Sequence, residues 1–209
     1  MKQASNLSAL LGIQHGFYNA YDTKDVINPI LMNQVHSADV LVVEKPLVIP
    51  PQVDALVTTK KGLHLTVKTA DCAPVLLADA QHNVIGAVHA GWKGAFQGII
   101  ETTILKMLEQ GAVLENIVAG VGPHIQKQSF EADEKMRALF PVTEHHFFTP
   151  AKNGKYLFDF DAYVCHRLKR AGVENIVSIQ DDTYQDKTYL SFRREPENPA
   201  RQYSVICLV

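Results

Sequence analysis

The chain has 209 residues, 46% hydrophobic and 20% charged, with a net charge of −2. That length fits one domain able to bury roughly 70% of its unfolded surface without staples. The charge balance argues against a nucleic-acid module, which needs a basic surplus, and no apolar run approaches the ~18 residues of a membrane span.

Residues 7–13 form a short apolar stretch without a convincing cleavage site, so no signal peptide is expected. Residues 39–43 and 54–58 are short, β-branched strands. Residues 63–68 alternate apolar with polar, the period of a half-buried strand. Residues 73–78 and 84–89 flank a polar turn at 79–83 and read as a hairpin. The period then changes. Ile99, Ile100, Thr103, Ile104, Met107 and Leu108 fall at helical spacing, with Gly111 placed to end the helix. Residues 117–121 read as a strand, 130–139 and 161–171 as helices with Gly172 closing the second, and 177–179 and 203–209 as strands. Repeats, charge blocks and linkers are absent. The mixture predicts an α+β fold, a single domain over residues 1–209 with mixed β-sheets layered against flanking helices.

The three cysteines, Cys72, Cys165 and Cys207, are too few and too odd in number for a disulfide framework. They suit a reducing compartment, so a cytoplasmic location is expected. Cys165 and Cys207 sit among apolar neighbours and read as small core residues. His145, His146 and His166 read as surface or capping residues.

Three reactive side chains sit where predicted strands meet turns: His36 in Gln34-Val35-His36-Ser37, Cys72 in Ala70-Asp71-Cys72-Ala73-Pro74, and His89 in Val88-His89-Ala90-Gly91-Trp92. Neither Cys-x-x-Cys nor His-Glu-x-x-His is present. Two imidazoles and a thiolate suit one Zn²⁺ with a fourth position left for water, whose pKa zinc lowers towards ~7. The same residues also suit a Cys72 nucleophile with His89 as its base, or a copper site with Met32 as its weak axial ligand. Residue types alone leave these alternatives open.

Other segments offer polar groups to a pocket. Gly91-Trp92-Lys93-Gly94 places Lys93 between glycines ahead of a helix, an arrangement suited to phosphate or another anion. Gly122-Pro123-His124 presents His124 from a tight turn as a candidate acid or base. Phe192-Arg193-Arg194 makes Arg193 a candidate anion ligand. Asp71 is placed to orient a metal ligand or water, or to cap a turn.

Gln34-Val35-His36, residues 54–58, Thr69-Ala70-Asp71-Cys72-Ala73-Pro74-Val75, His89-Ala90-Gly91-Trp92-Lys93-Gly94 and Gly122-Pro123-His124-Ile125 follow one another as in a known family. Together with Ser191-Phe192-Arg193-Arg194 and Arg201-Gln202, they resemble the laccase-domain, or multicopper polyphenol oxidoreductase, proteins over roughly residues 12–209. Many such proteins are purine nucleoside phosphorylases with adenosine deaminase activity.

The resemblance implies zinc held by His36, Cys72 and His89, with copper as the metal reported for phenol oxidation. It implies layered mixed sheets related to cysteine hydrolases. It also implies adenosine, inosine, guanosine and methylthioadenosine as substrates, with phosphate as co-substrate. Members described as peptidoglycan-editing hydrolases make amide hydrolysis of cell-wall precursors the alternative. A copper oxidase and a non-catalytic binding role stand behind it. The chain departs from the family pattern in three places. His15-Gly16-Phe17 stands where relatives carry an arginine-glycine segment, Lys93 where they often carry arginine, and Asp181-Asp182-Thr183 where many have a cysteine.

Overall fold

A computed structural model describes residues Met1–Val209. The chain opens with α1 (Ser5–Ser8), β1 (Ile13–Phe17), β2 (Pro29–Ile30), β3 (Val40–Val42) and β4 (Ala55–Thr58). β5 (His64–Thr69), β6 (Ala73–Asp79) and β7 (Val84–Ala90) follow, then α2 (Trp92–Gln97) and α3 (Ile99–Glu109). The second half holds β8 (Val118–Val121), β9 (Glu131–Ala132), α4 (Glu134–Arg137), β10 (Phe148–Pro150) and β11 (Tyr156–Phe158). It closes with α5 (Phe160–Arg170), β12 (Asn175–Ser178) and β13 (Gln202–Leu208).

Six strands form the central sheet in the order β12-β8-β6-β7-β4-β3. Its inner pairings are antiparallel, and the two edge strands run parallel to their neighbours. A second sheet has the order β1-β13-β5-β2, and a small third one β10-β11-β9. Every residue of β6 and β7 is buried, as expected of strands covered on both faces. Their alternate positions divide between two cores. Val75, Leu77, Val84 and Val88 face the helices. Leu76, Ala78, Ile85 and Ala87 face the second sheet. The result is a three-layer stack of helices, central sheet and second sheet.

Helix α3 shows how closely these layers meet. Its buried face is Ile99, Ile100, Thr103, Ile104 and Met107, the set the helical spacing predicts. Gly86 of β7 lies beneath it, where an added Cβ would come within 3.2 Å of Met107 Sδ and 3.3 Å of Thr103 Cγ2.

Two local readings need correction. Residues 130–139 are not one helix. Asp133 accepts the Met136 N–H and caps the short α4, so the helix starts only after it. Phe130 and Ala132 instead turn inward to the helical-side core, and β9 pairs with β11. Trp92, read as part of a turn, opens α2 directly, with Gly91 as its N-cap. The stops at Gly111 (φ +95°) and Gly172 (φ +90°) are left-handed, as expected of residues that end helices.

The sheet brings the reactive motifs together. Ala73 pairs with Ala90 and Pro74 with His89, so Cys72, just before β6, and His89, near the end of β7, share one end of the hairpin. Ala55 pairs with Val88, and the His89 N–H donates to Asp54 O at 2.8 Å. Three adjacent strand ends therefore meet at one point of the central sheet.

Candidate metal centre

The ligand atoms of His36, Cys72 and His89 all lie within 4.8 Å of one another. His89 is 3% exposed, Cys72 is half-buried, and His36 faces solvent. The two imidazole rings meet edge to face, 4.8 Å between centroids. His36 and Asp71 both adopt positive φ, +62° and +84°. Backbone strain of this kind persists only where the surroundings enforce it.

At His36, Asp54 enforces it. Its side chain is fully buried. Oδ1 accepts from the His36 N–H at 3.0 Å and from His89 Nδ1 at 2.7 Å. Oδ2 accepts from the N–H groups of Val35 and Ser37 and from Ser37 Oγ, at 3.1, 2.7 and 3.0 Å. One carboxylate thus holds the loop that carries His36 and turns the Nε2 of His89 towards the cluster. That is the outer support metal-ligating imidazoles ordinarily have.

The charges are coupled. Burial pushes the Asp54 carboxyl up, but its bonds to His89 and to the Ser37 N–H outweigh it and bring the pKa down to about 2. Burial opposes charge on His89, yet the Cys72 sulfur and the Asp54 carboxylate raise it to about 9. Burial and the positive His89 lower His36. The raised pKa favours the protonated form of His89 between the Cys72 sulfur and the Asp54 carboxylate, and a cation bound at its Nε2 displaces that proton.

The donor set fits a metal ion. Two imidazoles and a thiolate are the ligands of borderline-soft cations. Gly91 leaves room for them: an added Cβ would sit 2.4 Å from His36 Nδ1 and 3.3 Å from Cys72 Sγ. Met32, considered as an axial ligand, is fully buried between the two sheets.

The cluster opens into a cavity of about 710 Å³. Trp92, Phe130, Phe160 and Phe192 line it, as do the cations Lys68, Lys93, Arg193 and Arg201. Lys93 is exposed, with Nζ 5.7 Å from the centroid of the Trp92 ring. Arg193 lies over Phe130 at 5.5 Å and donates to Glu131 O at 3.2 Å. Asp71, the one carboxylate in the wall, is already engaged. It accepts from Thr183 Oγ1, Ser191 Oγ and the Arg193 N–H at 2.7, 3.0 and 2.6 Å.

His124 lies apart from this group. It is fully buried, sits edge-on behind Phe160, and bonds through Nδ1 to Gly122 O at 2.8 Å. Its Nε2 faces Asp161 Oδ1 at 3.5 Å, and burial lowers its pKa. Cys207 is buried. Burial, then the Asp161 carboxylate, pushes the half-buried Cys165 thiol up to about 12.

The motif reading gathered His36, Cys72, His89, Lys93, Arg193 and Asp71 about one cavity but missed Asp54. An acidic residue heading a fully buried apolar strand was the available signal, since carboxylates are almost never fully buried unless paired.

The profile of the multi-copper polyphenol oxidoreductase laccase family matches residues 19–209. A purine nucleoside phosphorylase of Rickettsia prowazekii is 37% identical over 194 residues, covering 90% of this chain and 79% of that protein. The purine nucleoside phosphorylase YfiH of Escherichia coli K12 is 32% identical, covering 87% and 74%. Among solved structures, a DUF152-family protein of Neisseria meningitidis superposes with a TM-score of 0.81 at 30% identity, covering 90% and 77%.

Proposed function

This chain belongs to the multi-copper polyphenol oxidoreductase laccase family, and from that premise we propose that it is a zinc-dependent purine nucleoside phosphorylase with adenosine deaminase activity. The observation that carries the reading is one cavity in which a His36-Cys72-His89 cluster faces aromatic rings and unpaired cations. Adenosine, inosine, guanosine and methylthioadenosine are the proposed nucleosides, and phosphate the co-substrate. We read residues 1–209 as one laccase-like domain. No helix is long and apolar enough to cross a membrane, and three free cysteines support a reducing, cytoplasmic setting.

His36, Cys72 and His89 would hold the zinc, with Asp54 fixing the His89 ring. When bound, the metal supplies a Lewis acid beside the substrate. Aromatic faces of the wall suit a purine, because stacking needs only a π-face. In phosphorolysis, a phosphate oxygen bonds to the sugar C1′. The C1′–N9 bond breaks, and the base leaves with its electron pair and takes up a proton. Lys93 and Arg193 hold the phosphate charge during this exchange. In deamination, water adds at C6 of adenine and ammonia leaves. Asp71, bonded to Arg193 and to Thr183, positions the turn that carries Arg193. His124, shut behind Phe160, braces the wall in this reading.

A second reading has its own observation. Cys72, His89 and Asp54 also form a thiol–imidazole–carboxylate series, with Asp54 on His89 Nδ1. That is the arrangement of a cysteine hydrolase, and it would serve amide hydrolysis of cell-wall precursors. It leaves His36 without a role. Protein of measured metal content, incubated with the nucleosides with and without phosphate and with muropeptide precursors, separates the readings when products are identified by mass. Phosphate-dependent release of purine base is the expected result. Hydrolysis of the muropeptides alone, undiminished in metal-free protein, would overturn it in favour of the thiol.

A further inference from the structure

Thr69, the last residue of β5, pairs across the second sheet with Gln202, the first of β13. Thr69 lines the cavity. The two residues are 1% and 2% exposed, yet Thr69 Oγ1 and Gln202 Nε2 have no hydrogen-bond partner. The Gln202 amide is oriented unambiguously, because its Oε1 accepts the Leu190 N–H at 2.6 Å. Its free end is therefore a donor. Buried polar groups nearly always find partners, and each exception calls for an explanation. Two exceptions on one cross-strand pair, of which Thr69 lines the cavity and Gln202 stands directly opposite it, call for a shared one: an acceptor atom that a ligand brings.

The neighbours define that acceptor. Lys68 precedes Thr69, Arg201 precedes Gln202, and both line the cavity. Neither is among the ion pairs of the chain. The Arg201 guanidinium donates only to the backbone carbonyls of Asn198 and Ala200 and lies 6.0 Å from the Phe192 ring. Two cations without carboxylates beside two buried groups without partners make a site for a negatively charged oxygen.

We propose that Thr69 and Gln202, flanked by Lys68 and Arg201, form an oxyanion subsite that neither the metal cluster nor Lys93 and Arg193 account for. The chemistry it takes is a phosphate oxygen. Under the phosphorylase reading, on which this choice of sources rests, that oxygen belongs either to free phosphate or to a phosphate ester carried by the nucleoside.

Thr69→Val keeps the shape and removes the hydroxyl, and Arg201→Gln removes the charge. Calorimetric titration of metal-loaded full-length protein with inorganic phosphate, inosine and inosine 5′-monophosphate reads the subsite. Both variants are expected to weaken oxyanion binding about tenfold or more while leaving inosine affinity unchanged. Thr69→Val also raises the melting temperature by about 2–4 °C, because it removes a buried hydroxyl that the free protein leaves unpaired. Weakened phosphate binding assigns the subsite to the free ion. Unchanged phosphate binding with a lost preference for the nucleotide over inosine assigns it to the ester. Wild-type affinity for all three ligands in both variants would overturn the proposal. Because binding is the readout, weakened binding in a protein that releases no base from inosine would sink the phosphorylase reading and leave the subsite standing.

Discussion

Replacing Asp54 by Asn keeps the shape of the side chain and removes its charge. The carboxylate receives five hydrogen bonds, two at Oδ1 and three at Oδ2. An amide group has one acceptor oxygen, so its nitrogen must face either the pair formed by the His36 N–H and His89 or the three donors of residues 35–37. The milder choice sacrifices two charge-assisted bonds of about 1.5–3 kcal/mol each. Folding stability should therefore fall by about 3–6 kcal/mol. The remaining effect falls on the metal. His89 loses the acceptor that fixes its ring, and the loop carrying His36 loses its anchor. Outer-shell losses of this kind weaken metal binding 10–100-fold, or about 1.4–2.7 kcal/mol. Chelator competition on refolded Asp54→Asn protein gives the affinity, and thermal melting with and without metal gives the stability. Wild-type metal affinity in a folded Asp54→Asn protein would refute the support assigned to Asp54.

Gly91→Ala should disturb the cluster more than the fold, because the added Cβ meets His36 Nδ1 at 2.4 Å; equilibrium dialysis is expected to show metal affinity at least about tenfold weaker. Lys93→Ala should slow phosphorolysis of inosine roughly ten- to a hundredfold and deamination of adenosine much less, since only the first reaction uses phosphate. Equal losses in steady-state assays would make Lys93 a nucleoside contact instead. Burial pushes both His124 and His15 below the ordinary value of 6.5, so below that pH the unfolded chain binds more protons than the native one. Their contribution to stability is present above pH 6.5 and is lost as pH falls through the folded-state pKa values. Melting of metal-loaded protein from about pH 7 to about pH 5.5 should show this decline, and His124→Gln should flatten it by up to about 1.4 kcal/mol per pH unit.

The central strands and the cluster were legible because their signals are local. β6 and β7 are unbroken apolar runs on either side of a polar turn, and Cys72 and His89 stand at the edges of those runs; His36, read as a strand end, lies instead in the loop between β2 and β3. The failures came where distant residues decide. β1 contains Gly16 and lacks a strong alternation; it is held by β13, about 190 positions later in the chain. The segment from 130 to 139 has helical spacing, but Phe130 is drawn into an aromatic cluster with Phe158 and Phe160, 5.3 and 5.6 Å away. Asp54 read as a polar start to a strand, because its five donors come from residues 35–37 and 89. His124 read as displayed by its turn, and only the placement of Phe160 hides it from the cavity.

The central claim is that His36, Cys72 and His89 together hold one metal ion. Elemental analysis of the purified chain, alongside His36→Ala, Cys72→Ala and His89→Ala proteins shown to be folded by circular dichroism, tests it directly. About one zinc per chain is expected in the parent and almost none in each variant, because three protein ligands complete such a site and removing one leaves two. A full complement of zinc in folded Cys72→Ala protein would contradict the account.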